Sequence, residues 1–479
     1  MAKQRQAQKK AENVRVPLLG SFTNRNYATT KDQRFINIFP ETRKVEAIEN
    51  TKIFLNKRPG LSVYKTVPTG EGRGITYFNG KFYYAIGNTV WEDGPTPTNK
   101  ITLTASTGVI GMQVANSSTI GDYLFICDGT GGWYINTTGT VTHIVDADFP
   151  NPHQPVPTFI DGYILLAKGS DIYNCVLDTP SSWDPSEFIS AEMFPDPLRA
   201  LARQNNQVVA FGMSSIEFFY DAANVSGSPL SRNEATAIQM GTASPFAIYQ
   251  NEMYCIYIGQ SDSGGRAVWK IDGTAPKKVS DEFIDRILDK ESNINNATGF
   301  GFRTMGHMFY LINLPTLDRT LVYDTDEKLW HEWSTNTGDG LHHVFSCAHL
   351  SDDGTGKAYL LDTNGGNIYY VNPQAYTDAN SIIVDVYTNK YDFDTYKRKF
   401  FYSCLVVGDS YDSTNNMNIR WTDDDYKTWS AYRTVDMSDS WPSIPRLGCS
   451  RRRAFNLHHT DNLPLRLESL ELTYLEGDT

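Results

Sequence analysis

The chain has 479 residues, of which 40% are hydrophobic and 13% aromatic, so it can form a large domain and a smaller one, each with its own core. Its formal net charge of −12 excludes a protein that binds DNA by neutralising phosphates over its whole surface. The 27 Tyr and 24 Phe residues, together with 36 Gly and 22 Pro, favour an all-β fold over a helical one.

Residues 1–15 are basic and lack an apolar run, so they predict a flexible N-terminal tail and not a secretion signal. Lys3, Arg5, Lys9 and Lys10 are candidate contacts with a neighbouring acidic ring or with DNA, and the alternative is a solvated charge run. No stretch approaches eighteen apolar residues, so we expect no membrane-spanning helix.

Residues 16–60 are predicted to form an extended segment. Apolar and polar residues alternate over 34–41, which indicates a strand, and Pro59-Gly60 indicates a turn. We expect this segment to supply a strand that closes the last repeat of the domain that follows.

A repeat runs through the middle of the chain. Each unit contains a turn residue, an apolar strand, a Gly- or Asn-containing turn and a second strand with an aromatic residue, which is the pattern of a β-hairpin. The seven hairpins span residues 80–91, 121–135, 162–173, 206–219, 252–271, 306–323 and 357–371. Their spacing of roughly forty to fifty residues is typical of four-stranded propeller blades. Residues 61–378 are therefore predicted to form a six- or seven-bladed β-propeller, with a string of unrelated hairpins as the alternative.

One segment inside this region departs from the β pattern. Residues 280–288 place apolar side chains at helical spacing, with Ser280 as the candidate N-cap. They predict a short helix between two blades.

Residues 379–479 are predicted to form a smaller C-terminal β domain. Five apolar stretches, at 382–387, 400–407, 418–421, 453–457 and 470–474, predict strands. Five strands in about a hundred residues indicate a sandwich.

Several motifs are compatible with catalysis or metal binding, but each has a structural interpretation. Residues 422–429 resemble the Asp-box turn of sialidase-type propellers, with Tyr426 in place of the usual Gly, and that box stabilises a turn. His342 and His343 would point to opposite faces of one strand, so with His349 they make only a poor zinc site. Residues 352–356 lack a full set of calcium ligands, and residues 70–74 read as a flexible glycine-rich loop. We therefore expect no catalytic residue, no metal and no cofactor.

The six cysteines are widely spaced and form no CxxC pair, which indicates reduced, mostly buried thiols in a protein made in a cytoplasm. Arg451, Arg452 and Arg453 precede a predicted strand and are candidate ionic contacts between subunits, with a solvated charge run as the alternative.

The order of features resembles the tail hub or nozzle proteins of short-tailed bacteriophages (podoviruses), also called packaged-DNA stabilisation proteins. The matching stretches cover most of the chain and include no catalytic signature. They are Arg58-Pro59-Gly60-Leu61; residues 211–219, with Gly-x-Ser-Ser-Ile-Glu before aromatics; residues 311–315, followed by 321–324 and Trp330; and residues 446–472.

The resemblance implies a structural virion protein, located in the tail and made in the bacterial cytoplasm, that forms a homohexameric ring. It implies contacts with a portal-adaptor ring, with tail fibres or spikes, and with a tail plug or needle. It also implies closure of the channel after packaging and transient passage of double-stranded DNA, without insertion of this protein into a membrane. An acidic wall would let DNA slide, and solubility is the alternative role of the charge.

Two other classes of function stay open at this point. One is a receptor- or glycan-binding, or glycan-cleaving, propeller of a phage tail, for which aromatic and carboxylate groups should converge in the central pocket. The other is a propeller scaffold for cellular proteins.

Overall fold

The structure is a computed structural model that describes residues 10–20, 33–45, 50–194, 196–261, 264–335, 347–350, 355–378 and 380–478. The chain divides into two compact units. The propeller unit comprises residues 62–328 and 341–371, and the sandwich unit comprises residues 1–61, 329–340 and 372–479.

The chain begins with four strands that belong to the sandwich unit: β1 (Glu12–Pro17), β2 (Arg34–Ile36), β3 (Ile38–Val45) and β4 (Asn50–Lys57). Strand β5 (Gly60–Thr69) comes next. The first two propeller sheets then contain β6 (Gly72–Phe78), β7 (Lys81–Ile86), β8 (Thr89–Glu92), β9 (Thr98–Thr102), β10 (Gly111–Ser117), β11 (Gly121–Cys127), β12 (Gly132–Asn136) and β13 (Val141–His143). The next two sheets contain β14 (Thr158–Ile160), β15 (Tyr163–Lys168), β16 (Asp171–Val176), β17 (Thr179–Ser190), β18 (Leu198–Gln204), β19 (Gln207–Gly212), β20 (Ile216–Asp221) and β21 (Leu230–Ile238).

The fifth and sixth sheets contain β22 (Gly241–Thr242), β23 (Tyr249–Gln250), β24 (Tyr254–Gln260), β25 (Arg266–Asp272), β26 (Ala275–Lys278), β27 (Thr298–Thr304), β28 (His307–Leu314) and β29 (Arg319–Asp324). Between them lie a helix, α1 (Glu282–Lys290), and a 3-10 turn (Ile294–Asn296). After β30 (Leu329–Trp333), which belongs to the sandwich unit, the last propeller strands are β31 (Cys347–Leu350), β32 (Ala358–Leu361) and β33 (Gly365–Asn372). The sandwich unit ends with β34 (Val384–Tyr387), β35 (Lys399–Gly408), β36 (Asn416–Thr422), β37 (Arg433–Asp436), β38 (Ser443–Ser450), β39 (Ala454–His459) and β40 (Arg466–Glu476).

Within its described residues the propeller unit contains seven antiparallel sheets that follow one another along the chain, and these are its blades. Each of the seven predicted hairpins forms two adjacent strands of one blade: β7–β8, β11–β12, β15–β16, β19–β20, β24–β25, β28–β29 and β32–β33. The predicted all-β fold with a propeller is therefore confirmed, and the blade number is seven.

The middle strands are apolar on both faces because each blade packs between two others. In β11, Leu124 and Ile126 belong to a core cluster shared with the first blade. Tyr123 and Phe125 of the same strand belong to the cluster shared with the third blade. All four side chains are fully buried. This two-sided burial explains why the strands appear in the sequence as continuous apolar runs instead of alternating ones.

The ring is closed by packing of the seventh blade on the first. Tyr84 of β7 shares a buried cluster with Leu361 of β32 and Val67 of β5. The order of strands in the seventh blade is β31-β32-β33-β5, so the closing strand is residues 60–69. This differs from the expected closing strand within residues 16–60. Strands β3 and β4 lie in the sandwich unit because Ile38 and Leu55 are buried in its core.

Tight turns explain why a glycine starts several of the hairpins. Asn79-Gly80 and Asp161-Gly162, which precede β7 and β15, have positive φ at both residues (48° and 78°, 44° and 93°). Two successive residues with positive φ make the type I′ turn, whose twist matches that of an antiparallel hairpin.

The predicted helix is present as α1, but its N-cap is Asp281 and not Ser280. The Asp281 side chain accepts a hydrogen bond from the Ile284 N–H at 2.9 Å. Ser280 Oγ instead accepts from the Val268 N–H and donates to Asp285, which ties the start of the helix to β25. No helix among the described residues is long and apolar enough to span a membrane.

The sandwich unit consists of two sheets around one core. The first has the order β3-β4-β40-β35-β38, with β1 also paired to β40. The second has the order β30-β2-β34-β39-β36-β37. Phe35, Val386, Cys404, Met417 and Leu472, from five different strands, are all buried in the core between them. The predicted sandwich is therefore confirmed, and it includes strands β1 to β4 from the N-terminal segment.

A buried ion pair lies at the point where the chain enters the propeller unit. The Arg58 side chain is fully buried and pairs with Asp378, whose side chain is 4% exposed. Arg58 Nε also donates to Asn37 Oδ1 at 2.7 Å, and Nη2 donates to the Ser334 carbonyl at 3.1 Å. The guanidinium lies 5.6 Å from the Trp333 ring centroid. Arg58 therefore joins three separate segments of the sandwich unit.

The following turn is bonded to the segment that leaves the propeller. The Gly60 N–H donates to the Ala375 carbonyl at 2.7 Å, and the Leu61 N–H donates to the Thr377 carbonyl at 3.0 Å. A Cβ on Gly60 would lie 2.4 Å from the Thr377 oxygen, so only glycine permits this approach. Residues 58–61 and 375–378, which flank the propeller unit in the sequence, are thus held together.

We predict that Arg58→Ala lowers the apparent free energy of unfolding by about 3–5 kcal/mol, because it removes the guanidinium that neutralises the buried Asp378 carboxylate. Urea denaturation followed by tryptophan fluorescence measures this, since Trp333 lies beside the guanidinium. The control is Arg43→Ala, whose side chain is 60% exposed and pairs with Glu41. A loss below about 1 kcal/mol for Arg58→Ala, as for an exposed pair, would contradict this role.

Candidate functional site

A cavity lies where the innermost strands of the propeller converge. It has a volume of about 260 Å³. Its lining consists of Arg73, Gly74, Ile75, Val109, Ile110, Gly111, Met112, Gln113, Pro155, Val156, Pro157, Pro245, Phe246, Ile248, Gln250, Thr298, Gly299 and Phe300. These described residues include two aromatic rings and no carboxylate. The pair of carboxyl groups that glycoside cleavage usually requires is not among the described lining residues.

The glycine-rich residues 70–74 are not simply the flexible loop that the sequence predicts, because β6 begins at Gly72. Arg73 is buried, and its Nη1 donates to the carbonyls of Gly87 at 2.9 Å and Ala105 at 2.6 Å. Burial lowers the pKa of the Arg73 guanidinium. Its donors are used to fix neighbouring turns of the first blade.

The stretch at 211–219 serves the fourth blade. The Asp196 carboxylate accepts hydrogen bonds from the Ser214 N–H at 2.6 Å and from Ser215 Oγ at 2.6 Å. Glu217 is buried, accepts from the Met193 N–H at 3.0 Å and pairs with Arg232 at 2.9 Å. Burial raises the pKa of Glu217 despite the arginine. The Ser-Ser-Ile-Glu motif therefore fastens the loop before β18 to the hairpin β19–β20.

The Asp-box resemblance at 422–429 corresponds to a braced turn between β36 and β37. Asp424 accepts from the Thr428 N–H at 2.9 Å, from Thr428 Oγ1 at 2.6 Å and from Thr422 Oγ1 at 2.8 Å. These hydrogen bonds lower the pKa of Asp424 to about 2. Asp425 and Tyr426 both have positive φ, at 64° and 65°. The carboxylate is engaged in holding this left-handed turn.

Arg453 belongs to the interior of the sandwich unit. Its side chain is 1% exposed, and Nε and Nη2 donate to the two carboxylate oxygens of Asp423, each at 2.8 Å. The guanidinium also lies 4.5 Å from the Phe401 ring centroid and 5.3 Å from that of Trp421. Because every face of the group is occupied within the unit, Arg453 is not an accessible contact for another subunit.

Arg451 and Arg452 differ from their neighbour because they are partly exposed. Arg451 Nη1 donates to the Tyr396 carbonyl at 2.7 Å, and Arg452 Nη2 pairs with Asp425 at 2.8 Å. Both keep charge at the surface. Lys10 is exposed just before β1.

Several residues singled out by the sequence lie outside the described part of the chain. Lys3, Arg5 and Lys9 do so, as do His342, His343 and residues 352–354, and nothing is described of the His349 side chain. Among the described residues, no group of three His, Cys, Asp or Glu side chains could hold a metal ion.

A polar face on the second sheet of the sandwich unit was not predicted. The register pairs Asp385 with His458 and His458 with Asn418 across three strands. It also pairs Asn456 with Arg420 in the neighbouring row. The only sequence signal is that polar residues alternate with core residues at 418 and 420 and at 456 and 458. Because the two strands are far apart in the sequence, the alternation alone does not bring them together.

We predict that Asp424→Asn lowers the Tm by about 2–4 °C near neutral pH, because the amide cannot replace the charged acceptor. The folded-state pKa lies below the unfolded value of about 3.9, so this stabilisation is complete above pH 4 and is lost as the pH falls toward 2. The difference from the wild type should therefore disappear between about pH 4 and 2 in calorimetry. Asp412→Asn, at an exposed position, is the control, and an equal difference at pH 7 and pH 2 would contradict the interpretation.

The chain matches a family model described as Bacteriophage P22 Gp10, beta-propeller, over residues 14–373, which is more than half of its length. No curated protein matches it. Among solved structures, a streptogramin B lyase is similar with 10% identity and a TM-score of 0.42, covering 65% of this chain and 97% of that one. The virginiamycin B lyase from Staphylococcus aureus shows 11% identity and a TM-score of 0.43, covering 65% and 98%. The N-terminal domain of Nup159 shows 9% identity and a TM-score of 0.40, covering 71% and 99%. Similarities this low indicate nothing about function.

The match to the family model, together with the propeller itself, shows that the chain belongs to the phage tail stabilisation family described as Bacteriophage P22 Gp10, beta-propeller.

Proposed function

We propose that the chain is a structural subunit of the tail hub or nozzle of a short-tailed bacteriophage. In this role it closes the portal channel after packaging, retains the DNA and conducts it during ejection. The observation that carries the proposal is the match to the phage stabilisation family over residues 14–373. The function needs no catalytic group, metal or cofactor from this chain.

The packing and the charge support the role of a rigid conduit. Apolar clusters join the seventh blade to the first, the first to the second and the second to the third, so these blades cannot move apart without breaking apolar contacts. The chain's net charge of −12 repels the phosphates of DNA, which favours sliding over adhesion. A rigid, non-adhesive wall suits a conduit.

The proposal includes a set of partners. We propose a homohexameric ring that contacts the portal-adaptor ring, tail fibres or spikes, and a tail plug or needle, with double-stranded DNA passing transiently. The protein would be made in the cytoplasm of the bacterial host and act in the virion tail. Lys10, Arg451 and Arg452 keep their charge at the surface and are proposed contact residues together with Lys3, Arg5 and Lys9, whereas Arg453 is excluded because it is buried.

The test is an infection in which this protein is absent, followed by an assay of nuclease-sensitive DNA outside the heads. We predict heads that package their genome and then lose it, because the channel is not closed. Supplying the chain from a plasmid should restore retention and serves as the control. Heads that keep their DNA but fail to attach to cells would overturn the proposal and indicate a receptor-binding tail protein.

A further inference from the structure

The polar face of the sandwich unit has the construction of a ligand site. Arg420 lies between two aromatic rings, with its guanidinium carbon 4.9 Å from the Trp429 centroid and 4.5 Å from the Tyr432 centroid. The Tyr432 ring also lies 5.4 Å from the His458 ring. One half-exposed tyrosine therefore contacts both the cation and the imidazole.

Buried groups behind these side chains fix their orientation. Asn456 is fully buried; its Oδ1 accepts from Arg420 Nε at 2.8 Å and from the Tyr432 hydroxyl at 3.0 Å. Its Nδ2 donates to Asp385 Oδ1 at 3.0 Å, and the same oxygen lies 3.1 Å from His458 Nδ1. The network holds Arg420, Tyr432 and His458 in place before any ligand arrives, which lowers the entropy cost of binding.

The side-chain atoms that the network does not use indicate which ligand groups the site could bind. Neither terminal nitrogen of Arg420 has a hydrogen-bond partner among the described residues, so a planar fork of donors is available for a carboxylate. The Asp385 carboxylate only accepts, so a neutral His458 donates from Nδ1 and presents Nε2 as an acceptor. An acceptor at this position suits a hydroxyl group. The part of the Tyr432 ring that remains exposed suits the C–H face of a sugar ring.

We propose that this surface, formed by Arg420, Tyr432, Trp429 and His458, binds an acidic sugar of the uronic acid class. Arg420 takes the carboxylate, His458 Nε2 accepts from a ring hydroxyl, and Tyr432 stacks on the ring. A neutral sugar leaves the arginine fork unused, and a simple carboxylate or phosphate leaves the histidine and the tyrosine unused. None of these four residues lines the propeller cavity, and the site is independent of the proposed channel function.

The experiment uses the full chain with D-glucuronate, measured by saturation-transfer NMR and by titration calorimetry at neutral pH. We expect millimolar binding, at least about tenfold weaker binding of glucose and of acetate, and a loss of at least about tenfold in Arg420→Ala. Arg420→Lys keeps the charge but not the fork, so it should lose affinity as well. His458→Phe should weaken glucuronate but not acetate.

The matched control is Arg43→Ala, which removes an arginine 5.9 Å from the Phe54 ring, outside this network, and should leave binding unchanged. Circular dichroism verifies that each variant is folded. Equal binding of glucuronate, glucose and acetate, or unchanged binding in folded Arg420→Lys, would overturn the proposal. Binding of inorganic phosphate or of a glutamate-rich peptide more tightly than glucuronate would overturn the sugar assignment.

Discussion

The buried ion pair between Arg58 and Asp378 is the constraint on which the rest of the structure depends. Residues 58–61 directly precede the propeller unit and residues 375–378 follow it, so this pair, with the backbone bonds beside it, fixes both ends of a long repeat region. Strand β5 starts at Gly60 and ends the order of the seventh blade. This closing strand pairs with β33 to complete the seventh blade, and its Val67 packs against the first blade. Burying two charges carries a desolvation cost. Our hypothesis is that this pair is retained because its geometry specifies one arrangement of the three segments.

Most of the propeller could be predicted from the sequence because its middle strands carry a strong local signal. Two-sided burial produces apolar runs, and type I′ turns require residues such as Asn79-Gly80. Both features can therefore be recognised in short stretches of the sequence. The inner and outer strands of the blades carry weaker signals. Strands β22 and β23 contain only two residues each, and β17 is partly exposed along its length. These strands are positioned by pairing with neighbouring strands, and a short stretch of sequence gives no information about that pairing.

The assignment of the N-terminal segment required information that is not local. The alternation at residues 34–41 indicates a strand but does not indicate which sheet it joins. Ile38 and Leu55 are buried with residues more than 300 positions away, such as Leu467. The arginine run shows the same limit, since Arg453 differs from Arg451 through contacts with Asp423, Phe401 and Trp421, which are distant in the sequence. The polar face around Arg420 is assembled from three strands and the segment between β36 and β37, so the local sequence pattern does not predict it.

Family membership places the chain among the phage tail stabilisation propellers, and the closed ring of seven blades and the net negative charge are compatible with the proposed passage for DNA. The described lining of the propeller cavity contains no carboxylate, and the Asp424 carboxylate is held by hydrogen bonds within its own turn. The polar face around Arg420 adds a separate binding capacity on the sandwich unit.

The most direct test of this account is cryo-electron microscopy of the intact virion, with this chain identified in the tail density. The account predicts six copies arranged as a ring around the channel below the portal. Copies found only in peripheral fibres or spikes, or in a ring that does not surround the channel, would contradict it.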